Sequence, residues 1–251
     1  MTAVLHTQGL SVRYGGVKAL TDCDVSVEEG TLVGLIGPNG AGKTTFIDAV
    51  TGFTRSTGSV VLDGTDISRL SPHRRARAGF ARTWQAAELF DELTVRENVG
   101  IGARSGGFRS AVAEIARGHA SLPDEVDETL ELLGLADLAD AMPDTLTHGQ
   151  RKVVGVGRAL AGRPRVVLLD EPAAGLDSTE SAELGERLRG LVDRGTALLL
   201  VDHDMGLVLS MCDVVVVLEF GKVISSGSPE EIRNDARVIE AYLGSLHEAA
   251  G

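Results

Sequence analysis

The chain has 251 residues, 43% hydrophobic and 24% charged, enough for one large domain or two modest ones around a real core. A formal net charge of −12 argues against free DNA or RNA as a partner, and 1 Trp, 2 Tyr and 6 Phe leave few surfaces on which bases could stack. No apolar run reaches the roughly 18 residues of a membrane span. The N-terminus lacks a secretory pattern, and Cys23 and Cys212 fit no metal spacing and read as reduced cytosolic thiols.

In chain order, "LSVRY" sets Leu10, Val12 and Tyr14 on one face at the period of a half-buried strand. "TLVGLI" (Thr31–Ile36) reads as a buried strand running into a glycine-rich loop, and "KTTFIDAV" as the helix that follows. Asp63-Gly64 in "SVVLDGTDI" is a two-residue hairpin signal. The cluster "PHRRARAGFAR" (Pro72–Arg82) reads as a solvated helix face rather than a nucleic-acid patch. From about Leu93 to Ala161 the pattern is mostly helical. Thr94 and Glu97 form a capping box, Val126, Leu130 and Leu133 share a face, and Gly134 is the expected stop. Gly102–Gly107 is expected to be a turn or loop. After Pro164, "RVVLLD", "TALLLVDH" and "DVVVVLEF" are continuous apolar strands of the kind found in covered parallel sheets. A helix is expected from near Ser178, and Ser228, Pro229 and Glu231 begin another. The fold class is α/β with a helical insertion.

The chemistry starts at "GPNGAGKTT" (Gly37–Thr45), a full G-x-x-x-x-G-K-[ST] match between a strand and a helix. Glycines there let backbone N–H groups converge on a triphosphate, Lys43 can reach the β- and γ-phosphates, and the Thr44 hydroxyl can ligate Mg²⁺. "VVLLDEP" delivers Asp170 and Glu171 to a strand's C-terminal end, where the first suits a metal and the second suits a proton acceptor for water. "LVDHD" brings His203 to a similar position, and Gln85 ends a strand at the entrance to the helices. "LTHGQRK" (Leu146–Lys152) is both a capping box, Thr147 with Gln150, and a set of groups able to hold a phosphate.

Taken together, the phosphate loop, Trp84–Gln85, "LTHGQ" before "VVLLDEP", "AAGLD" (Ala173–Asp177) and His203 resemble the nucleotide-binding subunit of an ABC transporter over nearly the whole chain. "DEPAAGL", "DHDM" and "VIEAYLG" look most like subunits of branched-chain amino-acid importers, with importers of urea and short amides sharing much of the pattern. The resemblance implies a P-loop NTPase (RecA-like) core with an N-terminal antiparallel β subdomain (1–92 and 162–227), a helical subdomain (93–161) and a C-terminal helical tail (228–251). It implies ATP and Mg²⁺ as cofactors. Tyr14 would stack on adenine, and Gly37, Asn39, Gly40, Gly42, Lys43, Thr44 and Thr45 would hold phosphates. Thr44, Gln85 and Asp170 would hold Mg²⁺, Glu171 would be the general base and His203 the γ-phosphate contact, with Gln85 also in the catalytic set. Thr147, Gly149 and Gln150 would face the phosphate bound by a second copy, with Asp177 linking the two sites. The implied partners are a second ATP-binding subunit, two transmembrane permease subunits reached through Ala86–Val99 and, indirectly, a solute-binding protein, but no nucleic acid; the implied place is the inner face of the cell membrane. In the signature, Thr147 and His148 stand where serine and glycine are usual, and Trp84 stands where phenylalanine is commoner. Rival readings are a soluble ABC-type ATPase outside transport and a P-loop phosphotransferase.

Overall fold

The computed structural model describes residues 3–83, 89–103 and 122–248. Gln85, Trp84 and most of the expected Gly102–Gly107 turn lie outside the described residues. Strands β1 (Ala3–Tyr14) and β2 (Val17–Glu28) pair antiparallel, and their alternation buries Leu10, Val12, Leu20, Val25 and Val27 on one side. Strand β3 (Leu32–Ile36) is buried throughout and feeds helix α1 (Lys43–Thr51). Strand β4 (Thr57–Leu62) pairs with β1 and turns through Asp63-Gly64 into β5 (Thr65–Asp66), giving the order β2-β1-β4-β5. Both turn residues are left-handed, φ 49° and 73°, as a type I′ hairpin requires.

Helix α2 (Pro72–Arg77) and strand β6 (Phe80–Arg82) contain the arginine cluster; Arg74 and Arg77 are exposed, as a solvated helix face requires, and the exceptions are Arg75 and Arg82. Arg75 is 3% exposed, and its guanidinium donates to the carbonyls of Leu70, Ser68, Ala49 and Val50. The last carbonyls of α1 have no partner within their own helix, and a cation is the most favourable donor at that negative end. Arg82 is also withdrawn from solvent, between Asp48 of α1 and Asp170.

The middle of the chain holds α3 (Val95–Gly100), α4 (Asp124–Leu132) and α5 (His148–Leu160), with short 3₁₀ turns at Ala136–Leu138 and Pro143–Thr145. No strand occurs among the described residues of that stretch. The expected boxes cap α3 and α5, and Gly134 follows α4 at φ 64°. Then come β7 (Val166–Asp170), α6 (Ser178–Val192), β8 (Ala197–Val201), α7 (Met205–Met211), β9 (Val214–Glu219), β10 (Lys222–Gly227), α8 (Pro229–Asn234) and α9 (Ala236–Glu248). The second sheet has the order β10-β9-β3-β8-β7-β6, parallel except for the β9–β10 pair.

This sheet separates two cores. Leu32, Ile36, Val167, Leu169, Leu198 and Leu200 face the helices of the middle segment and α6. Val33, Leu35, Val166, Leu168, Leu199 and Val201 face α1 and the four-stranded sheet. With both faces covered, strands of uninterrupted Val and Leu are what the packing demands. Among the described residues no helix is long and apolar enough to cross a membrane.

Candidate active site

Parallel strands put their C-terminal ends on one edge of the sheet, the usual place for a ligand. Leu35 and Asp170 both pair with Val201, so β3, β8 and β7 end almost level and release Gly37, Asp202–His203 and Glu171 side by side. The loop after β3 is close to other backbone at two glycines. A Cβ on Gly37 would overlap the Leu218 carbonyl oxygen. Gly42 sits at φ 106° before α1, and a Cβ there would lie 2.9 Å from the Ala19 carbonyl oxygen. Asn39 and Gly40 are exposed at the tip, Thr44 is exposed and Thr45 half-buried in the first turn of α1. That first turn has no acidic side chain to offset the positive end of the helix. Lys43 Nζ donates to the carbonyls of Gly37 at 2.6 Å and Pro38 at 3.2 Å. Burial lowers the Lys43 pKa, and the carboxylates of Glu171 and Asp202 oppose that shift.

The acidic residues are held individually. Asp170 is 8% exposed, its Oδ2 lies 2.9 Å from Arg82 Nη2, and its N–H donates to Thr83 Oγ1. Burial pushes the Asp170 carboxyl up, and the Arg82 hydrogen bond works against it. Glu171 has φ 46°, a left-handed conformation costing about 1 kcal/mol or more for a residue with a side chain. Its backbone is fixed nonetheless. The N–H donates to the Val201 carbonyl at 2.8 Å, and its own carbonyl accepts from the Ala174 N–H at 3.2 Å and from Lys152 Nζ at 3.4 Å. Glu171 Oε1 lies 3.5 Å from His203 Nδ1, and Asp202 Oδ1 lies 3.5 Å from the same nitrogen. Asp202 is 2% exposed and accepts the backbone N–H groups of His203 and Asp204. Burial raises the Asp202 carboxyl above its usual range, partly offset by those hydrogen bonds.

Other expected site residues stand apart. Thr147 Oγ1 accepts the Gln150 N–H at 3.2 Å, and Gln150 Oε1 accepts the Thr147 N–H at 2.9 Å. Asp177 caps α6 the same way, its Oδ1 accepting from Thr179 and Glu180. The two caps abut: a Cβ on Gly149 would be 2.9 Å from Glu180 Oε1, and one on Gly175 would be 3.2 Å from His148 Nε2. Thr147, His148 and Asp177 are exposed. Tyr14, 51% exposed, ends β1 and its hydroxyl meets Thr54 Oγ1 at 3.1 Å. Gln85, assigned to both catalysis and metal, lies outside the described residues.

A family profile described as "ABC transporter" matches residues 20–174. The chain belongs to the ABC transporter family. A second profile, "Branched-chain amino acid ATP-binding cassette transporter", matches residues 222–248 of the cassette. The cassette is 37% identical to the high-affinity branched-chain amino acid transport ATP-binding protein BraF of Pseudomonas aeruginosa, over 96% of this chain and 98% of BraF. It is 35% identical, with the same coverage, to the lipopolysaccharide export system ATP-binding protein LptB of Haemophilus influenzae. Among solved structures it matches the ADP conformation of an ATP-binding cassette of an ABC transporter, with TM-score 0.85 and 30% identity over 97% of this chain and 100% of the other. The cassette is thus an ATPase subunit with the cassette fold.

Four residues of the site carry no signal, or a misleading one, in the sequence pattern. Arg82 braces Asp170, Asp202 holds the His203 backbone, and Lys152 reaches Glu171 from α5. Tyr242 of α9 reaches the start of the phosphate loop, where burial pushes its hydroxyl up to about 12 against the Gly37 backbone hydrogen bond. Arg82, Lys152 and Tyr242 meet partners remote in sequence, so no local spacing marks them, whereas Asp202 accepts from its neighbours His203 and Asp204 and is set apart by its burial.

Proposed function

We propose that the cassette is the ATP-hydrolysing subunit of an importer for branched-chain amino acids, working as a dimer on the inner face of the cell membrane. Its partners are two permease subunits and, through them, a solute-binding protein. The observation that carries hydrolysis is the convergence of Lys43, Asp170, Glu171 and His203 on one sheet edge, with Glu171 3.5 Å from His203. What supports the amino-acid cargo is the match over residues 222–248. Overall identity does not decide cargo, since relatives at 37% and 35% carry different names.

The residues fit an ATP–Mg²⁺ complex. The loop is open at its exposed tip, where a Cβ on Gly40 would meet nothing within 4 Å, and no side chain caps the N-terminus of α1. Among the described residues no group of three or more His, Cys, Asp or Glu could hold a metal alone. One hydroxyl, Thr44, and one carboxylate, Asp170, suit Mg²⁺, which keeps water and phosphate oxygens as its other ligands. Gln85 completes that set in this reading. Bound Mg²⁺ supplies neutralisation of the phosphate oxygens.

The chain's own residues do the rest. Gly37, Asn39, Gly40, Gly42, Lys43 and Thr45 bind the phosphates, and Tyr14 packs on the adenine ring. Glu171 accepts a proton from the water that attacks the γ-phosphorus, and the ADP oxygen leaves in line. His203 turns Nδ1 toward Glu171 and Asp202, which leaves Nε2 to the γ-phosphate. Thr147, Gly149 and Gln150 close over the nucleotide of the second copy, and Asp177 spans the interface. The helical segment 93–161 carries Thr147, Gly149 and Gln150 of this second half, and the N-cap of α6 carries Asp177.

Uptake decides the cargo. A strain lacking the chain's gene should lose uptake of labelled leucine, isoleucine and valine and regain it on complementation. Intact leucine uptake with lost uptake of urea or acetamide would move the assignment to the amide importers.

A further inference from the structure

Lys152 is a cation on a face built for hydrocarbon. It is 8% exposed on α5, among the buried residues Val153, Val154 and Val156. Withdrawing an ammonium group from water is costly unless negative groups compensate. Burial lowers its pKa, and the carboxylates of Glu171, Asp202 and Asp170 oppose that shift. Of these carboxylates, Glu171 has the largest influence, and it is also the residue whose main-chain oxygen receives the Lys152 Nζ hydrogen at 3.4 Å. That oxygen belongs to the residue held at φ 46°. A backbone in this sparsely populated region persists only where its surroundings determine it.

We propose that Lys152 is a positioning residue for Glu171, clamping its left-handed backbone from the signature helix and so fixing where its carboxylate points. The clamp has a geometric consequence. Helix α5 begins at His148, about one turn before Lys152, with Thr147 as its N-cap, so the groups offered to a second copy's nucleotide and the support of this copy's carboxylate lie on a single rigid element. The inference rests on the reading of Glu171 as the general base.

The test compares full-length Lys152→Met, Lys152→Arg and Glu171→Gln with the parent. Lys152→Met should lower kcat about tenfold or more while the Kd for ATP stays within about twofold, because misplacing a catalytic group costs rate rather than substrate affinity. Lys152→Arg, which keeps charge and donor, should recover kcat to within about threefold of the parent. In nucleotide-free protein, hydrogen exchange at the amides of Glu171 and Ala174 should be faster in Lys152→Met than in the parent, at an unchanged unfolding temperature. Unchanged exchange at those amides overturns the clamp. Faster exchange with kcat within about twofold of the parent overturns the positioning role. A fall in kcat matched by equal loss of ATP affinity and folding also overturns it. Normal turnover by Glu171→Gln removes the base assignment alone, because the exchange result still reports on the clamp.

Discussion

At the C-terminal edge of the six-stranded sheet the polar groups engage one another, whereas at the N-terminus of α5 they engage only their own helix. Lys43 holds the loop before it, Arg82 holds Asp170, and Glu171 and Asp202 converge on His203. Thr147 and Gln150 satisfy each other, Asp177 and Glu180 do the same, and Thr147 and Asp177 are exposed. The first arrangement is organised within one chain. In the second, side-chain oxygens accept the N–H groups of their own helix ends, and only a strong acceptor can compete for those N–H groups. A phosphate qualifies, since charge-assisted hydrogen bonds are roughly twice as strong as neutral ones. On the proposed reading, the first half of the site is built within one chain and the second is completed by a second copy.

The largest expected effect breaks the edge. Glu171→Gln should reduce steady-state ATP turnover by about 10²–10⁴-fold with ATP binding retained, measured by phosphate release and equilibrium nucleotide binding. Arg82→Met comes next. It leaves Asp48 and Asp170 without the cation between them, and breaking a buried pair this way costs about 3–5 kcal/mol. Denaturant unfolding should show that loss, and a change below about 1 kcal/mol would mean the arginine is replaceable.

Thr147→Asp sharpens the comparison by separating the two uses of one position. Aspartate caps a helix as well as threonine, so the unfolding temperature should hold. Its charge repels a phosphate, so turnover should fall about tenfold or more. Retained turnover would reduce Thr147 to a cap. The smallest effect is at Asp202. Its folded pKa is raised above the ordinary 3.8, so the ionised carboxylate is a penalty at neutral pH that fades as pH falls through the raised value toward 3.8. Asp202→Asn keeps an oxygen for the His203 and Asp204 N–H groups. It should raise the unfolding temperature by about 1–3 °C at pH 7–8 and lose that advantage toward pH 4.

Those residues also mark what the sequence conveyed. The phosphate loop, the Asp63-Gly64 hairpin and the capping boxes at Thr94, Thr147 and Ser228 are legible because their partners lie within a few residues. The apolar strands are legible because a sheet covered on both sides leaves no room for alternation. Arg75 and Arg82 were read as solvated because their local pattern is that of a charged helix, while their burial depends on Asp48 and the carbonyls ending α1. Lys152 carries no spacing at all, and only the packing of α5 against β7 brings it to Glu171, while Asp202 binds its immediate neighbours and differs from an ordinary turn residue by its burial. Strand β10 was not read because Lys222–Gly227 is partly exposed and weakly apolar, and its pairing comes from antiparallel register with β9.

Sedimentation velocity of the Glu171→Gln chain with and without MgATP tests the divided site most directly. The account predicts a shift from monomer to twice that mass on adding MgATP, abolished when Thr147→Asp is placed in the same chain. A Glu171→Gln chain that stays monomeric with ATP bound, or a double variant that dimerises as readily, would contradict it.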